Sequence, residues 1–400
     1  MYIRTCVKAS LLQVCAASQS ASFTMRRGWM EFVLFALVFV LAYLNGANDI
    51  SKGIATLVGS HVVRASTAIL WGTLTTTLGA MAGVAITSGL LKTFSSGILS
   101  HPANSTMFPI AVALGAIGWI LFATQTGLPI STTHALTGGI IGAALAQLGA
   151  SGIAWQALLL KVALPLAFSP VASFAVAWLL FPIIRYALSG VNNYCLCLEV
   201  QQTQIVPLTV GQPIGVASAL VSNQPSMQLV ADKVETCERT VALSVVKLRL
   251  ADSLHLLTSG LTSFARGMND TPKIAALLVG TSLLGSMNTA TFFGFVAIAM
   301  LVGSLLGGRR VLNTLSEKIT AMDGLEGFTA NFGASALVTA ATFFGLPLST
   351  THVTTSAIVG IGVSSRGRAN WYVVRDILLA WLVTLPAAAI LAYTISLLLN

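Results

Sequence analysis

Charge is what this 400-residue chain has least of. Asp, Glu, Lys and Arg together make up 8% of it, and only 12 residues are acidic, whereas an ordinary soluble domain carries about 25% charged residues. That scarcity excludes a soluble globular fold. Period-two alternation is also missing from the apolar runs, which excludes a membrane β-barrel. Cysteine is sparse and odd in number. Cys6, Cys15, Cys195, Cys197 and Cys237 show no metal spacing and predict no disulfide framework, so free thiols are favoured over a Cys195/Cys197/Cys237 metal site. No nucleotide-binding loop and no nucleophile–base set stands out, so the sequence does not read as an enzyme. The net charge of +9 does not signal nucleic-acid binding. The basic residues gather in the short connections and the central loop, as at a cytoplasmic membrane face.

What the chain does have is apolar length: 55% hydrophobic residues and a mean hydropathy of +0.85. Runs long enough to cross a bilayer fall at about 29–60, 65–91, 106–125, 128–148 and 154–187, and again at about 252–284, 289–307, 328–345, 346–364 and 371–399. The expected fold is an all-α polytopic membrane protein, with an N-terminal tail (1–28), a first transmembrane repeat (29–187), a soluble linker (188–250) and a second transmembrane repeat (251–400). The tail, basic and without acidic residues, reads as a transit-like leader or as residues ahead of a true start at Met25 or Met30. The linker is polar, with short strands expected around Tyr194–Val200.

The two halves share motifs. Leu-Pro-Ile-Ser-Thr-Thr-His at 128–134 returns as Leu-Pro-Leu-Ser-Thr-Thr-His at 346–352, and Asn-Gly-Ala-Asn-Asp at 45–49 is matched by Arg-Gly-Met-Asn-Asp at 266–270. Polar motifs in matching places of an apolar chain mark a transporter built from repeats. Several runs are interrupted where the motifs fall. Broken helices are tolerated at membrane depth only where protein or a polar cavity satisfies the freed backbone. Arg64, Lys233, Arg239, Lys247, Arg249, Arg309, Arg310, Lys318, Arg366, Arg368 and Arg375 can all face the cytoplasm if both termini lie outside, which makes the repeat inverted. Arg26 and Arg27 argue the other way.

Asp49 and Asp270 are the acidic residues set in long apolar context, where a carboxylate needs a partner. A bound cation is one, with Asn48 and Asn269 adding amide oxygens that suit a hard ion such as Na⁺; a coupled proton is another. A purely structural ion pair with Lys52 and Lys273, three residues on in each case, is the third, and it can coexist with the others. Pro129 and Pro347 suit the first turn of a helix. Ser131, Thr132 and Thr133, like Ser349, Thr350 and Thr351, then place hydroxyls beside N–H groups that can bind an anion at a helix start. Capping explains one such run as well; the matched pair favours a tetrahedral oxyanion held from both sides. His134 and His352 either donate to substrate or simply pack.

At these residues the chain resembles the inorganic phosphate transporter family, the PiT-type permeases. Both halves are covered, over about 30–185 and 250–400. The resemblance implies two inverted repeats with broken helices and re-entrant hairpins. It further implies phosphate import by symport with Na⁺ or H⁺, no other cofactor, a homodimer, and a place in the cell (plasma or inner) membrane. Asp49, Asp270, Asn48 and Asn269 would hold the coupling cation, the two Asn also touching phosphate. The six hairpin Ser and Thr residues would bind phosphate, with Lys52 and Lys273 as further site candidates. Lys52, Lys273, Arg266 and Asn331 depart from the family's usual residues. The alternative is a sulfate or related oxyanion permease. Asp49 and Asp270 favour phosphate, which keeps a proton for a carboxylate to accept, whereas sulfate has none. A passive channel on the same fold is a third reading.

Overall fold

The structure, a computed structural model, describes residues 28–103, 105–200, 227–235, 244–279, 288–317, 319–365 and 369–399. Residues 1–27, Cys237, Arg239, Lys318, Arg366 and Arg368 lie outside that description.

The first half contains α1 (Gly28–Gly59), α2 (Ala65–Ile86), α3 (Met107–Thr126), α4 (Thr132–Gln147) and α5 (Trp155–Ala187). A three-stranded antiparallel sheet follows, of β1 (Tyr194–Val200), β2 (Met227–Lys233) and β3 (Ser244–Arg249) in the order β2-β1-β3. The second half contains α6 (Leu250–Ala275), α7 (Thr289–Gly307), α8 (Arg309–Glu317), α9 (Gly324–Phe343), α10 (Thr350–Ser364) and α11 (Trp371–Leu399). Among the described residues six helices, α1, α2, α3, α5, α7 and α11, are long and apolar enough to cross a bilayer, and the chain is a multi-pass membrane protein. α4 and α10 are too short to span: 16 and 15 residues rise only about 24 Å or less, against a hydrocarbon core of about 30 Å.

The hairpin turns follow from the sequence Gly-Leu-Pro. α3 and α9 both stop at a left-handed glycine, Gly127 (φ 74°) and Gly345 (φ 67°). The amides of Leu128 and Leu346 reach back to the carbonyls of Ala123 and Ala341, each at 2.9 Å. This is the glycine-terminated helix end that satisfies orphan carbonyls. Proline follows and cannot continue the helix. Three residues of extended chain then lead to Ser131 and Ser349, whose hydroxyls cap α4 and α10 by accepting the His134 and His352 amides, both at 3.2 Å. Pro129 and Pro347 therefore stand two residues before the cap, in the extended turn. They are not in the first helical turn as expected, because the serine is the better cap. At the start of α9 Asp323 and Glu326 form a reciprocal capping box.

The halves interlock. Hairpin helix α4 lies along α11 of the other half, and α10 lies along α5. Backbones touch at glycines in matching places. Gly46 meets the Met300 carbonyl and Gly267 that of Thr76; Gly142 meets the Ala389 carbonyl, and Gly360 approaches that of Phe174. The equivalent helices α1 and α6 pack antiparallel. Ser259 donates to the Gly53 carbonyl at 2.7 Å, while further along α1 Thr56 pairs with the earlier His255 at 2.9 Å. Opposite running of equivalent helices is what an inverted repeat requires.

Two further expectations are corrected. The motif breaks only the first central helix, at Ile50 directly after Asp49. α6 runs on through Asn269 and Asp270, keeps Pro272 inside it, and loosens into a 3₁₀ turn at Ala276–Leu278. Cys195 is disulfide-bonded, where a free thiol was favoured; the sheet brings its strand to neighbours remote in sequence, which spacing does not reveal. Cys197 is free and buried.

Candidate functional site

The hairpin tips meet in the middle of the molecule. Thr133 donates to the Leu348 carbonyl of the opposite tip at 3.2 Å, and Thr351 donates to the Ile130 carbonyl at 2.7 Å. Each tip is also pinned to a central helix by an asparagine. Asn48 donates to Thr124 and to the Leu128 carbonyl, both at 3.2 Å, and Asn269 donates to Thr342 at 2.8 Å. Backbone and side chain thus form the same lattice twice.

Asp49 and Asp270 lie beside these tips, buried, and each is paired with the lysine three residues on. Lys52 contacts Asp49 and donates to the Ile130 carbonyl at 3.1 Å. Lys273 contacts Asn269, lies 3.2 Å from Asp270, and donates to Thr133 at 2.7 Å and to the Leu348 carbonyl at 2.9 Å. Asp49 further accepts from Asn45 at 2.9 Å and from Thr132 at 3.1 Å. Thr350 is the buried counterpart of Thr132.

Sequence reasoning did not assign Arg266 and Asn45, which occupy equivalent places in the two motifs. Arg266 is 1% exposed, and its three guanidinium nitrogens have no hydrogen-bond partner among the described residues. It lies within electrostatic reach of both Asp49 and Asp270. The signal was available, because Arg266 stands in apolar sequence just as the two aspartates do. Asp270 Oδ2, Asn45 Oδ1 and Asn48 Oδ1 are likewise buried without a partner. The cluster therefore sets three cationic side chains against two carboxylates, with donors and acceptors left over. A buried charge without a partner is costly, so an anion that accepts from Arg266 and donates to a spare oxygen fits.

The remaining candidates are placed differently. Ser131 and Ser349 serve as caps. His134 and His352 pack against one another with tilted rings, centroids 4.5 Å apart, and His352 stacks on Trp381 at 3.9 Å. Both rings line a largely apolar cavity with Leu158, Leu166, Pro170 and Trp381. His134 Nδ1 is 2.9 Å from the capping Ser131 hydroxyl, a packing role. Asn331 lies away from the cluster and donates to Thr56 at 2.8 Å. Beside Asp270 sodium fits poorly, because Lys273 already takes up the Asn269, Thr133, Leu348 and carboxylate oxygens; beside Asp49, Lys52 takes a carboxylate oxygen and the Ile130 carbonyl, while Asn45 Oδ1 and Asn48 Oδ1 stay unfilled.

The chain is similar to known proteins over most of its length. The sequence profile of the phosphate transporter family matches residues 45–392. The "Probable low-affinity inorganic phosphate transporter" of Rhizobium meliloti is 31% identical, over 90% of this chain and 93% of that protein. The protein of the same description from Bacillus subtilis is 26% identical, over 92% of this chain and 96% of its own. Among solved structures, "The sodium-dependent phosphate transporter" superposes with a TM-score of 0.71 at 23% identity, covering 92% of this chain and 98% of that one. This likeness speaks to the fold.

Proposed function

Since the chain belongs to the phosphate transporter family, we propose that it imports inorganic phosphate across the cell (plasma or inner) membrane by secondary active symport with a cation, Na⁺ or H⁺. The observation that carries the reading is Arg266, a fully buried guanidinium whose donors are unused among the described residues and which lies within electrostatic reach of Asp49 and Asp270. Guanidinium matches a tetrahedral oxyanion through paired N–H bonds. The tips bring threonines of both halves together beside the aspartates, and two equivalent bundles packed around one central site suit alternating access.

Asp270 Oδ2 sharpens the choice of anion. It is an unfilled acceptor, and phosphate at neutral pH still carries a proton to give it. Asp49 has its oxygens engaged by Lys52, Asn45 and Thr132, so the discriminating role passes to Asp270. The second reading, a sulfate or related oxyanion permease, draws support from the lysines, which offset both carboxylates and weaken their repulsion of a dianion.

Equilibrium binding of labelled phosphate and sulfate to the purified protein separates the two. The proposal expects phosphate to bind more tightly than sulfate. It expects Asp270→Asn to weaken phosphate by roughly ten-fold or more, the scale of a hydrogen bond to a charged group, with sulfate changed less. Preferential sulfate binding, or phosphate binding indifferent to Asp270→Asn, would overturn the assignment.

A further inference from the structure

The oxygen atoms around Lys273 Nζ form the kind of shell a hard cation takes. They are the Thr133 hydroxyl at 2.7 Å, the Leu348 carbonyl at 2.9 Å, an Asp270 carboxylate oxygen at 3.2 Å and the Asn269 amide oxygen. Carboxylate, amide, hydroxyl and backbone carbonyl oxygens are what Na⁺ would otherwise use. An ammonium has only three N–H donors, so four close oxygens already saturate it. Lys52 Nζ takes two of the four equivalent oxygens on the other side, those of the Asp49 carboxylate and the Ile130 carbonyl.

We infer that Lys52 and Lys273 are resident substitutes for metal cations, and that this transporter moves its substrate without Na⁺. Both side chains are 1% exposed, and each is tethered to the helix that supplies its own carboxylate. A tethered group competes at a high effective concentration against a free ion. The amine also takes up the space itself, which a metal ion would need for its ligands. The Ile130 and Leu348 carbonyls, each shared between a lysine and a threonine of the opposite half, leave the lysines in place as fixed parts of the hairpin lattice. Arg266, with its donors unfilled, remains the group that meets the incoming anion.

This inference rests on the phosphate-transport reading, and the test keeps the two apart. The purified full-length protein is first assayed for saturable radiosodium binding, with and without phosphate. It is then reconstituted, and labelled phosphate uptake is measured under one inward proton gradient in matched Na⁺ and choline media. The expected results are no saturable radiosodium binding and equal uptake in the two media. Lys52→Asn/Lys273→Asn, with its folding checked by gel filtration, is expected to gain radiosodium binding. Saturable binding by the wild type, uptake that requires Na⁺, or a folded double variant that binds none would overturn the inference. Absence of phosphate uptake in both media would instead overturn the transport reading, while the radiosodium result on the wild type would still judge the lysines.

Discussion

Arg266 and Asn45 occupy the same place in the two copies of one motif, and their difference makes the site polar in one direction. Asn45 is spent on holding Asp49 and Thr132, whereas Arg266 holds nothing among the described residues. Arg266→Gln should therefore cost binding more than folding. Phosphate affinity is expected to fall about ten- to hundred-fold, the scale of a lost charge-assisted hydrogen bond, and Arg266→Lys should recover only part of it because the paired geometry is lost. Calorimetric titration beside thermal unfolding checks this; an Arg266→Gln protein with normal affinity would place the anion elsewhere. A second expectation concerns the crossed threonine bonds. Thr133→Val and Thr351→Val should each destabilise by about 0.5–1.5 kcal/mol. Thr133→Val should also weaken phosphate binding further, because Thr133 holds Lys273 as well. Asp49, Asp270 and the hairpin hydroxyls were legible because they are duplicated polar residues in apolar runs. Arg266 was passed over, although it too stands in apolar sequence, because attention to duplication favours the positions where the copies agree.

At the scale of elements, the short sequence Gly-Leu-Pro-x-Ser-Thr-Thr carries a whole hairpin. Glycine ends one helix, proline blocks its continuation, and serine caps the next, at 127–131 and again at 345–349. That much could be read from residues, although the place of proline relative to the cap could not, since serine and proline compete for the start of the helix. What residues alone could not give is the partner of each hairpin helix. α4 and α10 rest on the last helix of the opposite half, and they reach it through Gly142 and Gly360, where the Ala389 and Phe174 carbonyls leave no room for a side chain. Gly142→Val and Gly360→Val should each destabilise by about 1–3 kcal/mol through overpacking. The expected signature is a lowered midpoint in thermal unfolding in detergent for both variants. Normal stability in either would mean that the halves do not interlock there.

Across the whole molecule, the connections sort onto two faces. Ser60 reaches His255, Gly59 meets Ser316, and the Asn370 amide donates to the Ile319 carbonyl. The loop after α1 thus gathers with the sheet linker and the start of α11, and Ser60, Cys195 and Arg249 line one pocket there. On the opposite face the Ser100 amide donates to the Gly152 carbonyl. Both the start of α1 and the end of α11 lie toward that second face. Arg64, Lys233 and Arg249 fall on the first, as the basic-residue rule expects if that face is the cytoplasmic one. Large apolar side chains stay exposed along α5 and α11, with Trp155 and Tyr186 near the ends of α5 and Trp371 and Tyr372 at the start of α11. This is the profile of a lipid-facing belt with interfacial aromatics. In a cysteine-depleted background, Ser151→Cys and Ser189→Cys flank the two ends of α5. A membrane-impermeant maleimide added to whole cells should label the first and spare the second; the reverse pattern would invert the topology.

Accumulation is the property that separates a coupled transporter from a channel of the same shape. The most direct test is labelled phosphate uptake into proteoliposomes under an inward cation gradient, followed past equilibrium with the external concentration and repeated with excess sulfate. The proposed account predicts phosphate rising above the external level, collapse when the gradient is dissipated, and little competition by sulfate. Uptake that stops at equilibration, or that sulfate abolishes, would contradict it.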